Sequence, residues 1–262
     1  VTTIYLSGAG ATGQLEAVRR WDWENKPLAI LVSFAYLRGW RQIGAYFRRP
    51  SALMLDSGAF TAYTLGKPVD HDALIREAHR PEWTEAVGLD VIGDWQATRR
   101  NAEREAAMGA TKMMPTFHLG DPWEALEFYC ERFPKVAIGG MVGAPKLDVL
   151  RFLGQVFARA WPKRLHSFGR CEEEILSRFP FESADAVTWA MASSAYGRFL
   201  YKKRGVATQK ALKVGRDMVV CGVQQYMDAI WRREQTLKAR WAAELAPLRQ
   251  RPTAATDQGK EA

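Results

Sequence analysis

Short apolar runs recur along the chain, separated by stretches in which apolar residues return every three or four positions. The runs occupy residues 3–6, 28–34, 52–55, 87–92, 112–117, 136–138, 164–167 and 184–187. Each is short and most are followed directly by Gly, Ser, His or Asp, so each predicts a buried strand. Between them lie helices with recognisable starts. Asp121-Pro122-Trp123-Glu124 predicts an N-cap, a proline at the first helical position and a glutamate at the third. Trp123, Leu126 and Cys130 then fall on one face. Pro145 opens a second helix, with Leu147, Leu150 and Phe157 predicted to face inward. Strands alternating with helices predict a parallel sheet covered by helices, of class α/β. Eight strand candidates favour a closed (β/α)8 TIM-type barrel over an open doubly wound sheet. The first helical connection carries the weakest pattern. The third is long and broken by Gly66-Lys67-Pro68, a place for a lid.

After Trp189 the pattern becomes helical. Tyr226, Ile230, Leu237, Trp241 and Leu245 form a stripe at helical spacing, with Arg232, Arg233, Lys238 and Arg240 mostly off it. The expected organisation is a barrel over residues 1–190, a basic helical extension over 191–250 packed on it, and a disordered tail over 251–262. No run of about 18 apolar residues occurs, so no transmembrane helix is expected. Residues 1–10 (VTTIYLSGAG) lack a basic n-region and a long apolar core, and three isolated cysteines include no CxxC pair. Both features predict a cytoplasmic protein.

Charge changes the picture at one end only. The 262 residues carry a net charge of +8, yet residues 191–251 hold 13 Lys and Arg against 4 Asp and Glu, and residues 1–190 sum to zero. A neutral body with a basic extension, including Lys202, Lys203, Arg204, Lys210 and Lys213, fits contact with a polyanion such as nucleic acid; a solvated helical surface fits as well.

Candidate chemistry gathers at the ends of the predicted strands, where a barrel builds its active site. The polar and glycine residues there are Ser7, Ser33, Asp56, Asp90, His118, Gly139, Gly140, His166 and Asp185. Buried strands do not readily end in carboxylates, because a charge removed from water needs a partner or a shifted pKa. Asp56-Ser57-Gly58-Ala59-Phe60 offers a carboxylate, a hydroxyl, a glycine for close backbone approach and a ring for stacking; an Asx-turn capping the next helix is the alternative. Asp90 and Asp94 flank a turn, and Asp94 also suits a cap on the helix beginning at Trp95. His118 ends a strand, as a structural imidazole or as a contact. Gly139-Gly140-Met141 exposes backbone donors or serves a tight turn. His166-Ser167-Phe168-Gly169 is equally open. Asp185 lies inside the last run, where a hydrogen-bonded carboxylate would be ionised near neutral pH and able to attack an electrophilic carbon. It is alternatively a buried structural carboxylate.

Taken in order, LDSGAF, LDVIGDW, the PTFH strand end, AIGGMVG, HSFG and FESADAVTW resemble the tRNA-guanine transglycosylase superfamily, and most of all its DNA-acting branch, the DpdA-type enzymes that insert 7-deazaguanine bases into phage and bacterial DNA. The resemblance runs from about Leu28 to Trp189. It implies a (β/α)8 barrel, a pentosyltransferase activity exchanging guanine for a 7-deazaguanine such as the 7-cyano derivative, and no cofactor. It makes Asp185 the nucleophile and Asp56 the general acid/base. By the same likeness Ser57, Gly58, Asp90, Asp94, His118 and His166 surround the base, Gly139 and Gly140 donate to its carbonyl, and Phe60 and Met141 sandwich its ring. The implied partners are guanine-containing DNA and the small base. The tRNA-acting relatives carry a C-x-C-x-x-C zinc site that this chain lacks, so zinc is not expected and tRNA becomes the second choice of substrate. A barrel N-glycosidase acting on another sugar is a third reading.

Overall fold

The computed structural model describes residues 2–8, 12–187 and 216–249. Nine strands form one all-parallel sheet: β1 (Thr3–Ser7), β2 (Ala29–Ser33), β3 (Leu53–Asp56), β4 (Glu85–Val87), β5 (Met113–Met114), β6 (Thr116–His118), β7 (Lys135–Gly139), β8 (Arg164–Ser167) and β9 (Ser183–Ala186). The spatial order is β5-β4-β3-β2-β1-β9-β8-β7-β6. The two terminal strands of that order are consecutive in the chain and separated only by Pro115, which has no N–H for a ladder. One strand interrupted at a proline therefore closes the sheet, with Gly88 N–H donating to Met114 O (2.8 Å) on one side and Ala137 N–H to Pro115 O (2.9 Å) on the other. The result is the eight-stranded TIM-type barrel that the apolar runs predict.

Period-two alternation explains both cores. Tyr5, Ala29, Leu31, Met54, Val87, Met114 and Ala137 point inward and fill the barrel. Their strand neighbours Ile4, Leu6, Ile30, Val32, Leu55, Val136 and Ile138 point outward and pack under the helices. Below the filled layer, at the amino ends of the strands, Lys135 Nζ lies 2.8 Å from Glu85 and Arg164 Nε lies 2.6 Å from Glu182. The Tyr5 hydroxyl donates to Glu85 (3.2 Å), so the lower end is plugged by paired charge. Functional chemistry is left to the other end.

The helices are α1 (Thr12–Arg19), α2 (Leu37–Ile43), α3 (Ala59–Leu65), α4 (His71–Ala78), α5 (Trp95–Ala107), α6 (Trp123–Arg132), α7 (Lys146–Ala160), α8 (Glu173–Arg178) and α9 (Arg216–Arg249). The third connection, expected to hold a lid, carries α3 and α4, with Gly66 ending α3 at φ 63° and Asp70 capping α4 by accepting from Ala73 N–H. Three local expectations need correcting. The fourth strand spans residues 85–87, so Asp90 sits in the following loop rather than in a strand end. Pro122, not Asp121, occupies the N-cap of α6, because the Asp121 carboxylate is used elsewhere. Leu147 is exposed in the first turn of α7, whose buried face is Val149, Phe152, Leu153, Val156 and Phe157.

Helix α9 bears out the apolar stripe: Ile230, Leu237 and Trp241 are buried against the barrel's outer shell. The stripe also contains Glu234, which is buried and accepts from Ile4 N–H at 2.8 Å, tying the helix to β1. Trp241 Nε1–H donates to Leu176 O (3.0 Å) in α8. Lys202, Lys203, Arg204, Lys210, Lys213 and the 251–262 tail lie outside the described residues. No helix among the described residues is long and apolar enough to cross a membrane.

Candidate active site

A cavity of about 870 Å³ opens at the carboxyl ends of the strands. Asp56, Asp90, His118 and Asp185, from four separate segments, all line it. Asp56 comes from β3 and Asp185 from β9, strands that β2 and β1 separate, and the parallel barrel turns both toward the same cavity.

Asp56 is the last residue of β3. The chain turns at Ser57-Gly58, and Gly58 N–H donates back to the Asp56 carboxylate (3.1 Å). Burial pushes its pKa up, and the neighbouring Asp90 charge pushes it further; Gly58 N–H and Ser33 oppose the rise, Asp185 adds to it, and the result is about 7. A carboxyl in that range can give or take a proton near neutrality. The segment thus makes an Asx-type turn, with no side-chain cap on α3, and the same carboxylate lines the cavity.

The loop carrying Asp90 is pinned from α5. Glu105, buried, accepts from Leu89 N–H (2.8 Å), Asn101 Nδ2 donates to Leu89 O (2.9 Å), and Thr98 Oγ1 accepts from Val91 N–H (2.8 Å). So held, Asp90 meets His118 Nε2 at 3.0 Å and accepts from the Ser57 hydroxyl at 3.3 Å. On the other side of the imidazole, Asp121 accepts from His118 N–H (2.8 Å) and lies 3.4 Å from Nδ1. Burial alone would lower the His118 pKa, but the hydrogen bonds and charges of Asp121 and Asp90 outweigh it and raise the value to about 9. His118 is thus an imidazolium clamped between two carboxylates. Sequence reasoning treated Asp121 as a cap and missed this role; its spacing three residues after a strand-end histidine was the available signal.

Asp185 receives Ser7 Oγ–H on Oδ2 (3.0 Å) and Gly169 N–H on Oδ1 (2.7 Å). Burial raises its pKa, and these two donors oppose the rise only in part. Gly169, the end of the HSFG segment, lines the cavity and turns with a φ of 64°.

Gly139 and Gly140 also line the cavity. Gly140 has φ 72°, and a Cβ there would stand 2.9 Å from Leu119 N, so glycine is what lets this loop lie against His118. Phe60 lines the cavity and is 68% exposed, a free ring at the mouth. Four of the expected residues do not line the cavity. Asp94 is the exposed N-cap of α5, accepting from Ala97 N–H, and faces away from the cavity. Met141 is fully buried in the outer shell, with Arg170 donating to its carbonyl (2.8 Å), and Val142, the next residue, lines the cavity instead. Gly58 serves packing: a Cβ on it would approach Ala35 N to 3.0 Å. His166 is fully buried in the barrel interior, below the lining residues.

No family model matches the chain, and no curated protein matches it. Among solved structures, a Coccidioides immitis protein provisionally assigned as a fructose-1,6-biphosphate aldolase superposes with a TM-score of 0.54 and 15% identity, over 90% of this chain and 89% of that one. This likeness concerns the barrel fold. The chemistry has to be argued from the cavity, which offers a proton-sharing carboxyl (Asp56), a hydrogen-bonded carboxylate (Asp185) and a clamped cation (His118).

Proposed function

We propose that the protein is a DNA-guanine transglycosylase that exchanges guanine for a 7-deazaguanine base. The observation that supports it most is the convergence of Asp56, Asp90 and Asp185 on one cavity with Asp56 held near pKa 7. Base exchange at a sugar carbon needs two carboxyls in different states. In the first displacement an Asp185 oxygen bonds to C1′, the C1′–N9 bond breaks, and the departing guanine takes a proton from Asp56. In the second, Asp56 takes the N9 proton of the incoming 7-deazaguanine, N9 bonds to C1′, and the Asp185–sugar bond breaks with its electron pair returning to the carboxylate. Configuration at C1′ is retained after two inversions. The Asp90–His118 pair suits the polar edge of a guanine, and Phe60 a stacked ring. The target nucleotide must leave a duplex stack, at a cost of a few kcal/mol, and the basic 191–251 segment is suitably charged to hold the flanking phosphates.

Exchange on tRNA is the second choice, with the same residues. The test is incubation of the full chain with guanine-containing DNA or with tRNA in the presence of 7-cyano-7-deazaguanine, followed by digestion to nucleosides and mass spectrometry. Modified deoxynucleosides support the proposal. Modified ribonucleosides with unmodified DNA, or base release with no deazapurine incorporated, overturn it.

A further inference from the structure

His166 lies on β8, one layer below the cavity floor, and is fully buried. The Tyr5 and Phe168 rings meet it edge-on, at 6.2 Å and 4.6 Å. Its Nδ1 is 2.8 Å from the Ser183 hydroxyl, while its Nε2 has no hydrogen-bond partner. That nitrogen stands 4.0 Å from Oδ1 of Asp185. A buried polar atom left unpaired costs stability, and an apolar ring of the same shape would not carry that cost. The charged groups facing the imidazole are Asp185 above and Lys135 below. Only one of these can accept a hydrogen bond.

We propose that His166 is a positioning residue for Asp185. Nδ1 accepts the Ser183 hydroxyl proton, which assigns the remaining ring proton to Nε2, aimed at Oδ1 of Asp185. A closure of roughly 1 Å brings the pair to hydrogen-bond distance. The bond forms when the carboxylate carries full charge: before attack, and again as the Asp185–sugar bond breaks and its electron pair returns to the oxygen. No proton changes hands in this step. His166 thereby supplements Ser7 and Gly169 as a third donor, available when the charge is there and withdrawn when it is not. The inference rests on the proposed exchange only for the identity of the electrophile; the geometry concerns Asp185 itself.

The test titrates Asp185 in the full chain by carbon-13 NMR of labelled aspartate carboxyls, with the resonance assigned by its loss in Asp185→Asn. Two variants are compared with the wild type: His166→Phe combined with Ser183→Ala, so that no hydroxyl is stranded, and His166→Gln, which restores an N–H near the Nε2 position. The Asp185 midpoint is expected to rise by about one pH unit in the double variant and to return toward wild type with Gln. The double variant's thermal midpoint should equal or exceed the wild type's. In the exchange assay its kcat should fall about tenfold with KM little changed when breaking of the Asp185–sugar bond limits turnover, because in that step the donor meets charge as it develops. An Asp185 midpoint unmoved in both variants overturns the proposal, as does a double variant that fails to fold, since His166 would then be a core residue. Absence of any exchange by the wild type would remove the transglycosylase reading alone, and the titration would still decide the role of His166.

Discussion

Replacing Asp56 by Asn removes one ionisable group from the cavity floor while keeping its shape and an acceptor for Gly58 N–H. In the folded protein Asp56 titrates at about 7, against 3.8 for an ordinary aspartate. Between those values the native state holds a proton that the unfolded chain has released. The stability linked to this group is therefore complete below the unfolded value and is lost as pH rises through 7. A gap of about 3 pH units at about 1.4 kcal/mol each sets a ceiling near 4 kcal/mol. Because the cavity is open to water, which solvates and screens the charge, about 2 kcal/mol is the expected effect. Asp56→Asn has no such loss. Urea unfolding followed by Trp fluorescence should show the variant gaining about 2 kcal/mol on the wild type between pH 4 and pH 8, with about two-thirds of the gain above pH 5 and the gain complete above pH 7. A wild-type-minus-variant difference that is flat across this range would refute the reasoning, because Asp56 would then be an ordinary surface carboxylate. The same variant should lose base exchange, the usual trade of stability for activity at such a site.

The His118 ring protons, followed by NMR, should titrate near pH 9, and Asp121→Asn should lower the midpoint; a wild-type value of 6.5 would deny the clamp between Asp90 and Asp121. Because this pKa is raised, the stability it contributes is present below about 6.5 and declines as pH rises through about 9. Gly140→Ala, with positive φ and a Cβ 2.9 Å from Leu119 N, should cost about 2–4 kcal/mol in chemical denaturation, whereas Gly143→Ala, with positive φ and open space around it, should cost about 1 kcal/mol; equal costs would show that the close approach is irrelevant. Glu234→Ala strands Ile4 N–H and should destabilise by about 1–3 kcal/mol while speeding amide exchange in β1, and unchanged exchange there would detach α9 from the barrel's stability.

The barrel was legible because its signal is redundant. Eight apolar runs between helical stretches leave little choice of architecture, and all eight correspond to strands, the fifth of them cut at Pro115. The offset at β4 arose because Val87, Leu89, Val91 and Ile92 continue an apolar pattern past the strand, and only the anchoring by Glu105, Asn101 and Thr98 reveals that residues 88–94 form a loop. The carboxylates Asp56 and Asp185 could be read from the sequence since charge at a strand end is rare; Asp90 was picked out with them only because the apolar pattern runs on past β4. Side-chain direction could not. Met141 and His166 stand in segments that do build the cavity, yet one packs into the outer shell, with Arg170 donating to its carbonyl, and strand alternation sends the other beneath the floor. Asp94 and Asp121 carry the same cap signal; Asp94 caps its helix, while the nearby imidazole claims Asp121.

In the proposed reaction Asp185 forms a bond to the sugar. The most direct measurement denatures the protein during incubation with a guanine-containing oligodeoxynucleotide and the free base, and locates any attached strand by peptide mass spectrometry. The account predicts one adduct, an ester on Asp185 carrying a strand without the target base, and none with Asp185→Asn. An adduct mapped to another residue, or undiminished exchange by Asp185→Ala, would contradict it.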